Sequence, residues 1–548
     1  MASFKSLPLL FCLSTSAVFS VFLPTCGRPT TPDSQFALSL SIDTLMLLPG
    51  KSVDVTVKIH TTAQLDAPVI LTLRSPGDEP LPDGITATFD PPAVVPAPGQ
   101  DASTKLHLIA QTQLSEDSYP LVVFARSQDQ EADAALTLNV SGTESNWHRP
   151  IATPGTEQIQ VLGADHSGGV FVGVNTTGAF AGLTNQGNYD GYVLHYRQNG
   201  AVSYVQPLAT VGSDVVTAMA VDSDDSVYVA GVTYGAFPAQ SNQGKADNFL
   251  AKISSEGKLA WVRQFGTAEV DQLTGVAVAP DGTVYATGIT EGAFPGQTFA
   301  GGSDVFLASF AADGTSNWIR EFGTDQIERT NAVANTQGAA VTVDAGGNVY
   351  VCGSTQGAFP GATSQGLGDG FVASFKSDGT KSWLQQIGSY GDDALVAIVA
   401  HPNGQVYAAG WARGPLGGQV QMGGQDGVIV AYKSDGTRSM VRQFGTSYAD
   451  VVNGIGLLGE QLYVAGSTRG SFPGQTQAGV QDAFFARIGP EGSTLWLRQI
   501  GTSQSDSGSA IVGSGKYLYL GGITFGDFDT DLALTESDGF LNQYPSDQ

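Results

Sequence analysis

The sequence predicts an all-β chain, a small two-sheet sandwich followed by a seven-bladed β-propeller, and three patterns carry that expectation. An aromatic residue in a Val-Tyr-Val-Ala-Gly type of strand recurs as Phe171, Tyr228, Tyr285, Tyr350, Tyr407, Tyr463 and Tyr519, at spacings of 57, 57, 65, 57, 56 and 56 residues. An Asp follows each anchor by 19 residues, as Asp190, Asp247, Asp304, Asp369, Asp426, Asp482 and Asp538, and opens a strand of the type Asp-x-Phe-Leu-Ala. Ahead of the repeats, residues 36–141 break into about seven short runs of alternating polarity separated by Pro, Gly and Asp, as half-buried sandwich strands do.

Each repeat is expected to supply four strands of a propeller blade. The outer strand, Trp-Val-Arg-Gln-Phe-Gly-Thr in its clearest copy, is marked by Trp147, Tyr204, Trp261, Trp318, Trp383, Met440 and Trp496. An inner strand, a hairpin, the anchor strand, a longer loop, the Asp strand and a second hairpin complete the unit. Asp281-Gly282 and Asp313-Gly314 show both hairpins, Asp-Gly being suited to tight turns with positive φ. The series starts on an outer strand at Trp147 and stops on an Asp strand at Asp538 to Leu541. One blade is therefore expected to be shared between the two ends.

The 548 residues include 25 Lys+Arg and 51 Asp+Glu, a formal net charge of −26, with 41% hydrophobic and 14% charged residues. That is a globular composition. Seventy glycines, 6 His and 3 Cys exclude a disulfide-rich scaffold, a zinc-cluster protein and a long helical bundle. So acidic a chain repels phosphate backbones and anionic headgroups, and no Lys/Arg-rich run offsets this locally. No nucleic-acid partner is expected, and membrane contact only through a lipid.

Residues 1–25 read as a signal peptide: Lys5, then an apolar run from Leu7 to Phe22 broken by Pro8 and softened by Ser14, Thr15 and Ser16. The run is too short and too polar for a membrane span. It ends in Leu23-Pro24-Thr25-Cys26, which resembles the lipobox of bacterial lipoproteins, with Thr25 where that family has Gly or Ala. The resemblance implies lipid attachment at Cys26, a tether over residues 26–35, and a place in the cell envelope at the outer membrane or cell surface. An ordinary secretory signal cut nearby, giving a secreted protein, is the alternative. With Cys12 removed and Cys26 acylated, Cys352 is expected to be a small buried strand residue without a disulfide partner.

Within residues 36–141, Leu81 to Phe89 resembles a strand of the immunoglobulin-like modules on bacterial surface proteins, which implies an immunoglobulin-like β-sandwich serving as a spacer. Over residues 142–548, Val-Tyr-Val-Ala-Gly-x-Thr-x-Gly-x-Phe-Pro-Gly followed by Asp-x-Phe-Leu-Ala resembles the bacterial propeller repeat family called SBBP. That resemblance implies an exported or surface-attached bacterial protein and assigns no reaction to the repeat. The Phe171 copy departs from it at Val174, and the Tyr407 copy has lost its Phe-Pro.

Several residues are candidates for chemistry. Asp214, Asp271, Asp393, Asp450 and Asp506 stand 13 or 14 residues before their anchors, on loops entering the inner strands. They would ring the mouth of a central channel and hold a cation or cationic ligand, or each would cap its own turn. Phe237, Phe294, Phe359 and Phe472, on the same face, would stack sugars or staple their loops to the blades. Three copies depart from the consensus, which is where function in a repeat protein concentrates. One carries an insertion of about eight residues near Gln326 to Gly338, with Glu328 and Arg329, assigned to the entering-loop face. The next has Trp411, Arg413 and Leu416 among otherwise neutral loops. In the last, Asp527, Asp529 and Asp531 alternate as calcium ligands do, with Asp538 at the twelfth position, or else form a solvated acidic loop.

No Gly-x-Ser-x-Gly elbow, His-Glu-x-x-His or Walker loop occurs, and the histidines are dispersed. The expected function is a non-enzymatic, envelope-anchored scaffold or adhesion protein, monomeric, whose loop face binds a protein or glycan at the cell surface. The alternative is an extracellular polysaccharide hydrolase or lyase, which would need two carboxylates in unlike environments at the channel mouth. Beyond that calcium, no cofactor is expected.

Overall fold

Alternation along Ser52–Thr61 builds the first domain: every second side chain of this strand is buried, with Val53, Val55, Val57 and Ile59 turned inward. The computed structural model describes residues 36–545 apart from 42–43, 48–51, 62–64, 66, 98–100, 112–113, 115–116, 129, 141–146, 331–339 and 529–532. The signal segment, the tether with Cys26, and Asp529 and Asp531 lie outside the described residues. Phe36–Leu40, Ser52–Thr61, Ala102–Ala110 and Ile85–Asp90 form one sheet, in the order Phe36, Ser52, Ala102, Ile85. Thr44–Leu47, Gln130–Val140, Asp117–Ser127, Val69–Arg74 and Ala93–Val94 form the other. Val57, Leu106 and Leu108 of the first sheet and Val123 and Leu138 of the second share one fully buried core, so the two sheets pack face to face.

From Trp147 on, the chain is all β among the described residues and folds into seven antiparallel sheets. The second is typical: Asp214–Val221, Val227–Thr233, Asp247–Ile253 and Leu259–Phe265 follow one another from inner to outer edge. The third strands are buried on both faces, since neighbouring sheets cover them; Asp304–Phe310 is buried throughout. Inner strands carry a one-residue bulge, at Thr217 and Thr274 for example. Bulged side chains bond to the next sheet, Thr217 Oγ1 donating to the Leu273 carbonyl and Asn453 Nδ2 to that of Gly508. In the fourth sheet Glu328–Arg329 and Val341–Val343 are two pieces of one inner strand. The extra residues leave after Thr330 and return at Ala340, so they interrupt the strand where the other sheets have the bulge; the assignment to the entering loop is corrected. Glu328 precedes the insertion and is the ordinary first residue of its strand.

The seventh sheet joins the chain's two sides, with Trp147–Ile151 antiparallel to Ala533–Pro545, which pairs with Tyr517–Gly526 and through it with Asp506–Ser514. Consecutive sheets meet through an aromatic clamp. Trp147, Trp261, Trp318 and Trp383 donate their indole N–H to carbonyls of the next sheet's outer hairpin, those of Gln198, Ala312, Ser377 and Ser434. The rings lie on Gly200, Gly314, Gly379 and Gly436, each with φ between 76° and 85°. Tyr204 does the same to Gly257, where a Cβ would fall 2.4 Å from the ring. Only glycine meets both demands, positive φ and no side chain. On Gly492 the Met440 thioether takes the place of the ring, and Trp496 meets no such hairpin, since the strand beside it pairs with Trp147–Ile151 from the other side of the repeats. There Tyr544 packs on Phe485 at 4.6 Å, Arg498 lies over Tyr544, and the Trp496 N–H is buried without an acceptor among the described residues.

Gly257 and Gly282 share φ 83°, but beside Gly282 an added Cβ has its nearest neighbour, Ala312 Cβ, 3.6 Å away. Gly282→Ala therefore costs only backbone strain, about 1 kcal/mol, while Gly257→Ala adds about 1–3 kcal/mol of overpacking against Tyr204. Calorimetric melting should show a drop two- to fourfold larger for Gly257→Ala; equal drops would mean that the clamp does not set the sheet spacing.

Candidate functional site

The register brings three chemical positions to one end of every sheet. In the second, Asp214 faces Thr233, and Thr233 faces Asp247. Asp214 Oδ2 accepts the Thr210 hydroxyl at 2.9 Å and also the Thr210 N–H. Asp450 and Asp506 hold Thr446 and Thr502 in the same way, and Asp393 holds Ser389. Sequence reasoning missed two members of this set, Glu157 and Glu328. Glu157 takes the Thr153 hydroxyl, and Glu328 takes the N–H and hydroxyl of Thr324, at 2.7 and 2.6 Å. The signal that identifies them is the Thr or Ser four residues earlier.

All seven of these acids are at most 2% exposed. Asp214, Asp271, Asp393, Asp450 and Asp506 thus cap their own turns, inside the sheets rather than facing a channel. Burial pushes the pKa of each of the seven above the ordinary carboxylate range, and a nearby Asp of the preceding sheet adds to it: Asp247 acts on Asp271, Asp304 on Glu328, Asp426 on Asp450. Each junction therefore holds two carboxylates, with a glycine such as Gly266 or Gly445 between them.

A glutamine of the outer strand ties the long loop to this frame. Gln264 accepts the Phe237 N–H at 3.1 Å and donates to Asp247 at 2.9 Å; Gln386, Gln443 and Gln499 repeat both bonds. The Phe-Pro-Gly phenylalanines are staples: Phe237, Phe294, Phe359 and Phe472 are buried against Phe249, Phe306, Phe371 and Phe484 at 5.0–5.3 Å. In the third sheet Glu321 stands in for Gln. It accepts the Phe294 N–H at 3.1 Å but has no N–H for the Asp304 carboxylate, and Glu321 Oε1 is left buried without a hydrogen-bond donor. Burial, reinforced by Asp304 and Asp271, raises the Glu321 pKa to about 7, which favours the protonated acid where the other sheets have an amide.

The consensus-breaking residues of the fourth and fifth sheets come together. Arg329, Gln356, Asp392, Ala394 and Trp411 line one cavity of about 20 Å³, room for about one water and not for a sugar. Trp411 is 3% exposed and packs on Ala394, Val396 and Ala397, so it is not displayed on the loop face as expected. Arg413 lies over its ring at 5.2 Å and remains half exposed, 3.8 Å from Asp392. Leu416 is buried, taking the place of the stapling Phe. Asp527 and Asp538 interact electrostatically, while Asp529 and Asp531 are not described. Among the described residues no three Asp, Glu, His or Cys side chains form a metal-like group. His195 pairs with Asp165 at 2.6 Å beside the inner hairpin, His166 with Asp225 at 2.6 Å, and neither joins the loop-end acids.

Two exposed or half-buried positions at this end vary from sheet to sheet: the one two residues before the buried acid and the one six residues after the anchor. They read Glu269 and Glu291 in the third sheet, Gln326 and Gln356 in the fourth, Tyr448 and Arg469 in the sixth, Gln504 and Phe525 in the seventh.

Residues 317–360 match the family described as SBBP, Beta-propeller repeat, and with the repeated antiparallel sheets this makes the chain a β-propeller repeat protein. It is 23% identical over 395 residues to "Regulatory protein FlaEY" of Caulobacter vibrioides, covering 65% of this chain and 40% of that protein; the chain spans about two fifths of that relative's length. Among solved structures it aligns with a Glu150Gln mutant of the Synechocystis apocarotenoid oxygenase at 11% identity and a TM-score of 0.33, covering 86% of this chain and 94% of that one. It aligns with the exotype rhamnogalacturonan lyase YesX at 11% identity and a TM-score of 0.29, covering 91% and 89%. Likenesses this low bear on neither fold nor activity.

Because Glu321 has a raised pKa in the folded chain, its contribution to stability is complete below its unfolded value near 4.5 and is lost as pH rises through about 7. Glu321→Gln, which restores the amide of the other sheets, should raise the melting temperature by a few degrees at pH 8 and by progressively less toward pH 5. A pH-independent gain, or a loss at pH 8, would show that no proton bridges Glu321 and Asp304.

Proposed function

We propose that the seven sheets are the blades of one closed propeller, held at the cell envelope by lipid on Cys26 behind an immunoglobulin-like spacer, and that its loop end binds a protein or glycan as a non-enzymatic scaffold. The observation that carries this reading is the contrast at one end of the sheets between a constant buried frame and two loop positions whose pairing of residues changes from sheet to sheet. Such a pattern is that of a scaffold presenting a composite surface. The catalytic alternative requires unlike acids open to a substrate, whereas the repeated acids sit inside their turns in equivalent surroundings. A glycan array together with an envelope-fraction pull-down on the chain from Gly27 tests the role; absence of any specific ligand from both would overturn it.

The anchor has its own test. A single acyl chain holds a protein only marginally, and the several chains of a processed lipoprotein hold it stably. Cys26→Ala should move the protein from the membrane to the soluble fraction. Quantitative membrane fractionation of that variant, with no labelled fatty acid on the unsubstituted protein, would sink the lipoprotein reading.

Calcium on Asp527, Asp529 and Asp531 belongs to the same proposal, on the strength of three like charges within five residues that a cation would offset. Millimolar calcium should then raise the melting temperature by mass action. Asp529→Asn with Asp531→Asn should abolish that rise, and an identical response in the double variant would exclude these residues.

A further inference from the structure

We infer that the loop end of the fourth, fifth and sixth sheets docks an acidic protein partner, one that presents carboxylates beside apolar side chains; this rests on the binding role proposed above and gives it an address and a chemistry. Among the described residues from Trp147 onward, nine large apolar side chains are exposed at the loop end and three at the starts of outer strands. The three outer-strand residues, Val202, Leu259 and Leu495, lie singly at the opposite, hairpin end. Scattered exposed apolar residues need no explanation, but a contiguous strip does.

Hydrogen bonds and close contacts show the contiguity. The Leu367 N–H donates to the Gly391 carbonyl, beside Tyr390. Tyr390, 69% exposed, donates its hydroxyl to Gln421 at 2.8 Å, between exposed Val420 and Met422. The loop continues to Gly423, which lies against the backbone of Tyr448, and the Tyr448 ring in turn lies against Gly470. Tyr448 is 61% exposed. The tyrosines are thus held on adjacent entering loops, a preorganisation that lowers the entropy lost on binding.

Charge selects the partner. Arg413 packs over Gly391 next to Tyr390, and Arg469 precedes Gly470 next to Tyr448, so two successive sheets repeat one tyrosine–arginine pair. Arg329 adds a third exposed cation at the cavity it shares with Asp392 and Trp411. Against these stand Asp325 and Asp392, the latter 3.8 Å from Arg413. On a chain of net charge −26 this strip is locally cationic, and Tyr, Met and Arg without Lys or Glu is the composition of a protein-binding core. The 20 Å³ cavity is too small to seat a ligand, so contact is made across the surface.

Panning a random peptide display library on the full chain tests this, with polygalacturonate and neutral dextran measured alongside. Enriched peptides should carry Asp or Glu next to aromatic or aliphatic residues. Their affinity should fall at least tenfold with Arg413→Glu plus Arg469→Glu, and likewise with Tyr390→Ala plus Tyr448→Ala. It should hold with Lys376→Glu plus Lys433→Glu at the hairpin end. Unchanged melting temperatures would show that the exposed substitutions leave the fold intact, and Lys-for-Asp peptides that recover affinity for the Arg→Glu variant would confirm charge pairing. Basic or neutral consensus peptides, or affinity insensitive to both pairs, would overturn the inference. Polygalacturonate binding with the same sensitivities and no peptide enrichment would transfer the strip to an anionic glycan, leaving the binding role standing. Binding of neither probe would remove the inference, and failure of the array and pull-down as well would remove the role.

Discussion

At five junctions an aromatic ring seated on a turn without a side chain fixes the distance and angle between one sheet and the next, and the packing of the repeat region depends on that contact. A four-stranded sheet cannot bury both of its own faces. Here Trp147, Trp261 or Trp383 reaches across to a neighbour's hairpin, bonds a carbonyl, and finds a glycine where any other residue would lift the sheets apart. Once the spacing is set, the third strand is covered on both faces and the inner bulges come within bonding distance of the next sheet.

The second consequence is electrostatic. Fourteen carboxylates, one pair per junction, belong to the internal frame, and thirteen of them are buried. The net charge of −26 therefore overstates how negative the surface is, and a locally cationic strip is compatible with it. Using acids rather than amides in this frame also leaves hydrogen-bonding demand behind. Threonine hydroxyls, backbone N–H groups and outer-strand glutamines meet most of it, and at Glu321, where the amide is missing, the raised pKa favours a protonated acid.

Much of the architecture was legible because it is periodic. The anchors, the Asp at a fixed offset, the Asp-Gly hairpins and the outer-strand aromatics each mark a real element, and the phase from Trp147 to Leu541 foretold the shared seventh sheet. The Phe-Pro-Gly staple was one of two readings that the residues allowed, and its burial decides between them. What escaped was whatever depends on the direction a side chain takes. Nothing in the run Trp411-Ala412-Arg413 says that the indole turns inward beneath its own arginine. The insertion was assigned to the entering-loop face, whereas it falls between Thr330 and Ala340, where the other inner strands carry their unpaired bulge residue. Glu157 and Glu328 fall outside a pattern drawn on Asp alone, which left Glu328 counted with the insertion, although the Thr four residues earlier marks the turn equally well.

The shared seventh sheet also defines a mechanical path. Any pull exerted from the N-terminal side enters the repeat region through Trp147–Ile151, whose five residues pair in register with Gly539 to Gln543. Tension along that strand loads its cross-strand bonds side by side, in shear, so they must give way together rather than peel one after another. The indole of Trp147 and the guanidinium of Arg149, both bonded to the first sheet's hairpin, share the load with a second sheet. A protein held from that side in a flowing medium would thus take up drag at a strand braced by two sheets.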